Sequence, residues 1–211
     1  MASSKTFTAT LTACYLVGVA IGRGRGYLTE VDGRKRIDDM LEVPRLMQRA
    51  LELNEAVSVL ARKLAGDQNA LYLGRGLNYP VALEGALKLK EISYVHAEGY
   101  AAGEMKHGPI ALIDGQMPVI ALAPRDPSYE RMLGNIEEVR ARDGIVVAVC
   151  HEGDTEIVRR AHEVLAVPAA PDLVAPMVTV IPLQLLAYHI AVLRGLDVDQ
   201  PRNLAKSVTV E

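Results

Sequence analysis

Four side chains in this sequence carry the groups that carbonyl and enolisation chemistry on a sugar requires: an amine, a carboxylate and an imidazole. Lys88 and Glu91 are three residues apart, so they share one face of the helix predicted there. His107 lies in a glycine-flanked loop, and an imidazole with an ordinary pKa of about 6.5 can open a hemiketal ring by acid–base transfer. Lys206 lies near the end of the sequence, where a desolvated amine could form a Schiff base with an open-chain ketose.

Each of these residues also has an ordinary structural explanation. Lys88 and Glu91 could form a surface ion pair, with Glu84 also within reach of Lys88. His107 could be a solvated loop residue, and Lys206 could belong to a solvated tail. Against a solvated tail, the surrounding segment holds a proline and several apolar residues that predict an ordered segment folded over a site: Pro201, Leu204, Ala205, Val208 and Val210. In the functional interpretation, Glu91 moves a proton between adjacent carbons while the Lys88 ammonium lies close to the developing oxyanion.

The pattern of apolar residues predicts the elements that position these groups. Residues 6–23 predict a helix ended by glycines, and residues 37–64 predict a long helical connector with a break near Pro44. Beyond them, strands alternate with helices, and near-continuous Val, Ile and Leu in the strands predict an α/β fold with a parallel sheet covered on both faces. The segment that starts at His96 is predicted to be a loop. The predicted strands are 70–73, 117–123, 145–150 and 164–167, and the predicted helices are 82–93, 128–142, 156–163 and 173–193.

A glycine-rich turn, Gly74-Arg75-Gly76, separates the first predicted strand from the helix that carries Lys88. A dinucleotide-binding fingerprint would need a third glycine at the position of Tyr79, so this motif does not favour nucleotide binding. Two interpretations remain open: a tight strand-to-helix turn, which the pattern favours, and a sugar phosphate held at the helix N-terminus.

Composition excludes several classes of protein. With 211 residues, 50% of them hydrophobic, the chain can bury a core, and its net charge of −3 gives no basic surface for nucleic acid. The apolar stretch from Leu11 to Ile21 is too short to span a membrane and does not favour a secretory signal. Cys14 and Cys150 are expected to be free thiols in a reducing cytoplasm, and no metal-ligand spacing is present.

Six segments together resemble the C-terminal part of the isomerase half of the glutamine–fructose-6-phosphate aminotransferase family, the glucosamine-6-phosphate synthases. These segments cover residues 83–94, 96–98, 103–109, 135–142, 181–189 and 197–211. The resemblance implies a sugar isomerase (SIS) domain, a three-layer α/β/α sandwich around a parallel sheet. It also implies formation of glucosamine-6-phosphate from fructose-6-phosphate and glutamine-derived ammonia, without cofactor or metal.

The same resemblance implies a role for each candidate residue. Lys206 corresponds to the lysine that binds the open-chain ketose as a Schiff base, and Glu91 to the base that shuttles a proton between C1 and C2. Lys88 corresponds to the lysine that assists at the sugar oxygen. His107 corresponds to the ring-opening histidine, which in the family reaches the site of a neighbouring subunit and so implies a homodimer. Substrate contacts are implied for Ser3 and Ala205.

The resemblance also implies a domain organisation. Residues 1–30 correspond to the end of a first SIS subdomain, 31–66 to a helical connector, 67–196 to the second SIS subdomain and 197–211 to an active-site tail. A glutaminase domain with its terminal cysteine and the Ser/Thr-rich phosphate loop are absent from these residues, so we expect little or no synthase activity from this chain alone. The alternatives are a stand-alone aldose–ketose isomerase and a non-catalytic sugar-phosphate-binding or dimerisation module.

Overall fold

The computed structural model describes residues 4–202, and its centre is a five-stranded sheet with all strands parallel. The spatial order is β2-β1-β3-β4-β5, so the chain leaves β1 towards one side and continues from β3 towards the other. Apolar residues fill the central strands, which are buried on both faces, as a parallel sheet requires. The strands are β1 (Asn69–Gly74), β2 (His96–Ala101), β3 (Pro118–Leu122), β4 (Ile145–His151) and β5 (Glu163–Val167).

Helices cover both faces of this sheet and make the predicted three-layer α/β/α sandwich. On one face, Leu60, Leu89 and Leu183 of three helices pack against Tyr72 and its neighbours in the strands. On the other face, residues of two further helices pack against the alternate side chains of the same strands. The helices are α1 (Ser4–Gly24), α2 (Glu30–Leu51), α3 (Asn54–Leu64), α4 (Asn78–Ser93), α5 (Tyr129–Arg140), α6 (Thr155–Val158) and α7 (Ala175–Leu193).

The glycines between β1 and α4 are explained by backbone geometry. A Cβ atom on Gly74 would lie 2.1 Å from the carbonyl oxygen of Asn78, so no side chain fits where the strand meets the first turn of α4. Gly76 has a φ of +52°, in the left-handed region that favours glycine. The tight-turn interpretation of Gly74-Arg75-Gly76 therefore accounts for both glycines.

The structure corrects the predicted break near Pro44. Helix α2 runs through Pro44 without interruption, starts at a capping box between Thr29 and Asp32, and ends at Leu51. Val43, next to the proline, packs in a buried cluster with Met177. This tertiary packing outweighs the loss of one helical hydrogen bond, so the break lies at residues 52–53 instead.

Two further predictions were wrong. The helix predicted for 156–163 is limited to Thr155–Val158, because His162 exchanges hydrogen bonds with the backbone of Val146 and leads directly into β5. The loop predicted from His96 is instead edge strand β2, which pairs with β1 from Asn69↔His96 to Gly74↔Ala101. The absence of a Cβ at Gly99 lets β2 lie close against the backbone of Leu83 in α4.

Helices α1 and α7 are both long and apolar enough, by length and composition, to cross a membrane. In this fold, 67% of the most apolar window of α7 is buried, because α7 lies in the core between α3 and α4. Helix α1 has no buried residue, and Leu16, Val17 and Ile21 are exposed. The apolar surface of α1 is thus largely uncovered within residues 4–202.

Candidate active site

The candidate site is built on the second half of α4, where an ammonium group is buried between two carboxylates. Lys88 Nζ lies 2.5 Å from Glu91 Oε2 and 3.6 Å from Glu84 Oε1. The Lys88 side chain is only 4% exposed, against 12% for Glu84 and 22% for Glu91. The i−4 and i+3 spacing places all three groups on one helix face. The interpretation as a surface ion pair is therefore wrong for Lys88.

The acidic and basic groups in this cluster are unequal in number, because two carboxylates face one ammonium. Burial raises the pKa of Glu84, the charge of Glu91 raises it further, and Lys88 opposes both effects. Glu84 Oε1 is buried and has no hydrogen-bond partner within residues 4–202. The more exposed carboxylate, that of Glu91, is held by Lys88 and still reaches solvent, as a group that exchanges a proton with a ligand must.

Chain direction places this cluster at the amino-terminal edge of the sheet. Helix α4 starts against Gly74, at the carboxyl end of β1, and runs back to Ser93, just before β2 begins at His96. His96 pairs with Asn69, the first residue of β1. Lys88 and Glu91, near the end of α4, are therefore not at the carboxyl edge, where parallel α/β sheets usually bind ligands.

The end of the described chain returns to the same end of α4. The backbone N–H of Arg202 donates a hydrogen bond of 2.7 Å to Tyr94 Oη, and the guanidinium of Arg202 lies 4.0 Å from the centre of the Tyr94 ring. Tyr94 is the C-cap of α4 and has a φ of +58°. Sequence reasoning missed Tyr94 and Arg202, and no pattern in the sequence marks either residue.

His107 lies far from this cluster. It ends a 3₁₀ helix, Ala102–His107, that follows β2, so it lies beyond the carboxyl end of that strand. Its side chain is 75% exposed, with Nε2 3.7 Å from Glu104 Oε2. The six residues of β2 span about 20 Å, which separates His107 from Glu91 within one chain.

Three of the predicted site residues, Ser3, Ala205 and Lys206, lie outside the described residues. The structure thus brings together Lys88 and Glu91, adds Glu84 to them, and places His107 elsewhere. Within residues 4–202, no group of three or more His, Cys, Asp or Glu side chains is placed to hold a metal ion.

The model of the SIS domain family matches residues 63–194, so the chain belongs to that family. The SIS domain is thus the class of protein that the fold indicates. Over 211 residues it is 56% identical to the glutamine–fructose-6-phosphate aminotransferase [isomerizing] of Chlorobaculum tepidum and equally to that of Thermus thermophilus. The chain spans 34% and 35% of the length of these two curated relatives.

Solved structures agree with this assignment. The C-terminal domain of glucosamine-fructose-6-phosphate aminotransferase from Francisella tularensis superposes with a TM-score of 0.90 at 41% identity, over 94% of this chain and 56% of that one. Glucosamine-6-phosphate deaminase from Thermotoga maritima gives a TM-score of 0.61 at 21% identity, over 84% of this chain and 50% of that one. The second likeness shows the shared fold alone.

Proposed function

We propose that this chain is the C-terminal part of the isomerase half of a glutamine–fructose-6-phosphate aminotransferase. Its substrates would be fructose-6-phosphate and glutamine-derived ammonia, and its product glucosamine-6-phosphate. The observation that carries the proposal is the buried Lys88 ammonium, 2.5 Å from Glu91, in a chain 56% identical to two enzymes of that name.

In the proposed mechanism, Glu91 removes a proton from C1 of the open-chain sugar and returns it to C2. The Lys88 ammonium orients the Glu91 carboxylate and stabilises negative charge that develops on the sugar oxygen. The Lys206 amine forms the Schiff base with the ketose carbonyl, with loss of water. Ser3 and Ala205 contact the substrate.

His107 is proposed to open the sugar ring in the site of a second copy of the chain. Its exposed side chain and its position at the opposite end of β2 from Glu91 support this assignment. The protein would then act as a homodimer, in which each site combines α4 of one subunit with the 3₁₀ segment of the other.

The proposed domain organisation follows the relatives. Residues 1–30 would close a first SIS subdomain, 31–66 connect it to the second, 67–196 form the second, and 197–211 form the active-site tail. The unburied apolar surface of α1 supports this division, since a preceding subdomain would cover it. We propose that the whole protein is soluble and cytoplasmic, as expected of an amino-sugar biosynthetic enzyme.

The test is a chimera in which this chain replaces the matching 211 residues of the Thermus thermophilus relative. We expect the chimera to make glucosamine-6-phosphate from fructose-6-phosphate and glutamine. Glu91→Gln should lower kcat by about 10²–10⁴-fold, the usual contribution of a general base. Glu55→Gln, at an exposed carboxylate of α3, is the matched control and should leave kcat unchanged. A folded chimera without synthase activity, or one that Glu91→Gln leaves fully active, would refute the proposal.

A further inference from the structure

A second concave site lies at the opposite edge of the sheet from Lys88 and Glu91. It is a cavity of about 290 Å³ at the carboxyl ends of the strands. It lies at the topological switch point of the sheet, because β2 pairs with β1 on one side and β3 pairs with β1 on the other. Its polar lining comes mainly from Asn78, Asp126, Ser128, His151 and Asp172. None of these residues has a role in the proposed synthase reaction.

One residue that lines this cavity, Asn78, carries a buried acceptor without a donor. Asn78 is 4% exposed, and its Nδ2 donates to Asp126 Oδ2 at 2.9 Å. Because a carboxylate only accepts, this bond fixes the orientation of the amide. The other amide atom, Asn78 Oδ1, is buried and has no hydrogen-bond partner within residues 4–202. Buried acceptors are almost always paired, so this atom marks a place for a donor that the described chain does not supply.

An anion fits this cavity poorly, although α4, α5 and α7 all begin around it. Backbone N–H groups at these helix starts already donate to backbone carbonyls: those of Asn78, Tyr129 and Ala175, at 2.9, 3.0 and 2.9 Å. The carboxylates of Asp126 and Asp172 also line the cavity and would repel a phosphate. The usual helix N-terminal anion site is therefore closed here.

The guanidinium of Arg125, the residue before Asp126, pairs with another carboxylate. Arg125 Nε lies 3.1 Å from Asp154 Oδ2, and its guanidinium lies 4.7 Å from the centre of the Tyr129 ring. Asp172 is exposed at the rim and makes no ion pair with the part of the chain that the structure describes. The cavity therefore presents net negative charge, which favours a cation.

His151 adds a single donor to this set of acceptors. Its Nδ1 accepts the backbone N–H of Arg125 at 3.3 Å, so the ring proton of the neutral tautomer is on Nε2. Burial lowers the pKa of His151 and keeps the ring neutral. Leu77, Leu173 and Pro176 supply apolar surface on the remaining side. This combination suits a ring with one apolar face, several hydroxyls and one ammonium group.

We propose that this cavity binds a small hydroxylated primary ammonium ion, such as an unphosphorylated amino sugar. Its ammonium would pair with Asp172 and its hydroxyls would donate to Asn78 Oδ1 and accept from His151. The inference does not depend on the proposed synthase function, because the cavity and the Lys88 cluster lie at opposite edges of the sheet.

The test is a titration of the isotopically labelled chain with glucosamine, followed by backbone amide NMR shifts. We expect saturable shifts at the amides that line the cavity, with a Kd in the millimolar range. N-acetylglucosamine and glucose, which lack the charge, should bind about two- to fivefold more weakly, as expected for the loss of one exposed ion pair. Glucosamine-6-phosphate should also bind more weakly than glucosamine, because its phosphate would face two carboxylates.

Asp172→Asn is the informative variant, since an exposed side chain can change without loss of the fold. It should raise the Kd for glucosamine about two- to fivefold, whereas Asp38→Asn, at an exposed carboxylate of α2, should not change it. Equal binding of glucose, no effect of Asp172→Asn, or the absence of saturable shifts at the cavity would overturn the inference. Shifts with glucosamine that appear only at the end of α4, and not at the cavity, would overturn it too, while they would support the synthase proposal.

Discussion

The two edges of the sheet treat buried polar groups in opposite ways. At the amino edge, the buried Lys88 ammonium faces two carboxylates of its own helix, so even Glu84 Oε1, which accepts no hydrogen bond within residues 4–202, has a cation 3.6 Å away. At the carboxyl edge, Asn78 Oδ1 is equally buried but has no partner in the described chain. A polar group that is paired within one helix can remain in place without a ligand, whereas an unpaired one signals that something else completes the site.

The same contrast separates two carboxylates at the carboxyl edge. Asp154 is fully buried and accepts hydrogen bonds from Tyr129 Oη at 2.8 Å and from the N–H groups of Glu156 and Ile157 at 3.0 and 3.1 Å. Asp172 is exposed at the cavity rim. We therefore assign Asp154 to the structure, as the N-cap of α6, and Asp172 to ligand binding.

The largest expected effect on stability comes from Lys88→Met. It leaves the partly buried carboxylates of Glu84 and Glu91 without their cation, and removing one partner of a buried ion pair typically costs about 3–5 kcal/mol. Urea unfolding followed by circular dichroism measures the loss. Lys90→Met, at an exposed lysine of the same helix, should change the free energy of unfolding by less than about 0.5 kcal/mol.

The double variant Lys88→Met with Glu84→Gln sharpens this result. It removes one of the two facing carboxylates and should recover part of the stability lost in Lys88→Met. Equal stability of the wild type, Lys88→Met and Lys90→Met would show that the cluster contributes nothing to folding, contrary to our comparison.

Asp154→Ala is expected to have the next largest effect. It removes the α6 cap and the acceptor of the buried Tyr129 hydroxyl, which together should cost about 2–4 kcal/mol. Thermal unfolding at neutral pH measures the change. Asp172→Ala is the control at the same edge of the sheet, and a similar loss in both variants would contradict the distinction between the two carboxylates.

Asp154 also gives stability a pH dependence. Burial acts to raise its pKa, but the hydrogen bonds from Tyr129 and Ile157 and the charge of Arg125 outweigh burial and hold the pKa below its ordinary value of 3.8. A lowered native pKa contributes stability that is present above the unfolded value and is lost as the pH falls through the native value. Urea unfolding should therefore show stability falling below about pH 4, and falling less steeply in Asp154→Ala.

Much of the fold could be predicted from sequence, because strands buried on both faces must be almost continuously apolar. The runs around Tyr72, Ile120 and Val147 carry this signal, and each proved to be a strand. Strand β2 lacks it, since an edge strand needs little apolar surface and Gly99 suits its contact with α4. Helix α2 was misjudged at Pro44 because tertiary packing of Val43, which no local pattern shows, sustains the helix.

The candidate site was only partly predictable from sequence, because it too depends on tertiary packing that no local pattern shows. Spacing predicts that Lys88 and Glu91 share a helix face, which the structure confirms. Their burial depends on elements distant in sequence that pack around α4, so spacing also allowed a surface ion pair. The surroundings of Asn78 are visible only when the loops after β3 and β5 are brought next to the start of α4.

The smallest expected effect on stability is that of Asn78→Ala, which tests the unpaired side chain at the carboxyl edge of the sheet. Asn78→Ala removes a buried acceptor that has no partner in the described chain, and only one hydrogen bond, to the partly exposed Asp126, is lost with it. Replacing a poorly satisfied polar group relieves its desolvation penalty, so the free energy of unfolding should change by about 1 kcal/mol or less.

Urea unfolding in the absence and presence of glucosamine separates the structural role of the Asn78 side chain from its role in ligand binding. Stabilisation by the amino sugar should be present in the wild type and weaker in Asn78→Ala, because the variant lacks the oxygen that would accept from the ligand. A large loss of stability without ligand would instead mean that Asn78 is a structural residue like Asp154, and the contrast between the two edges would no longer hold.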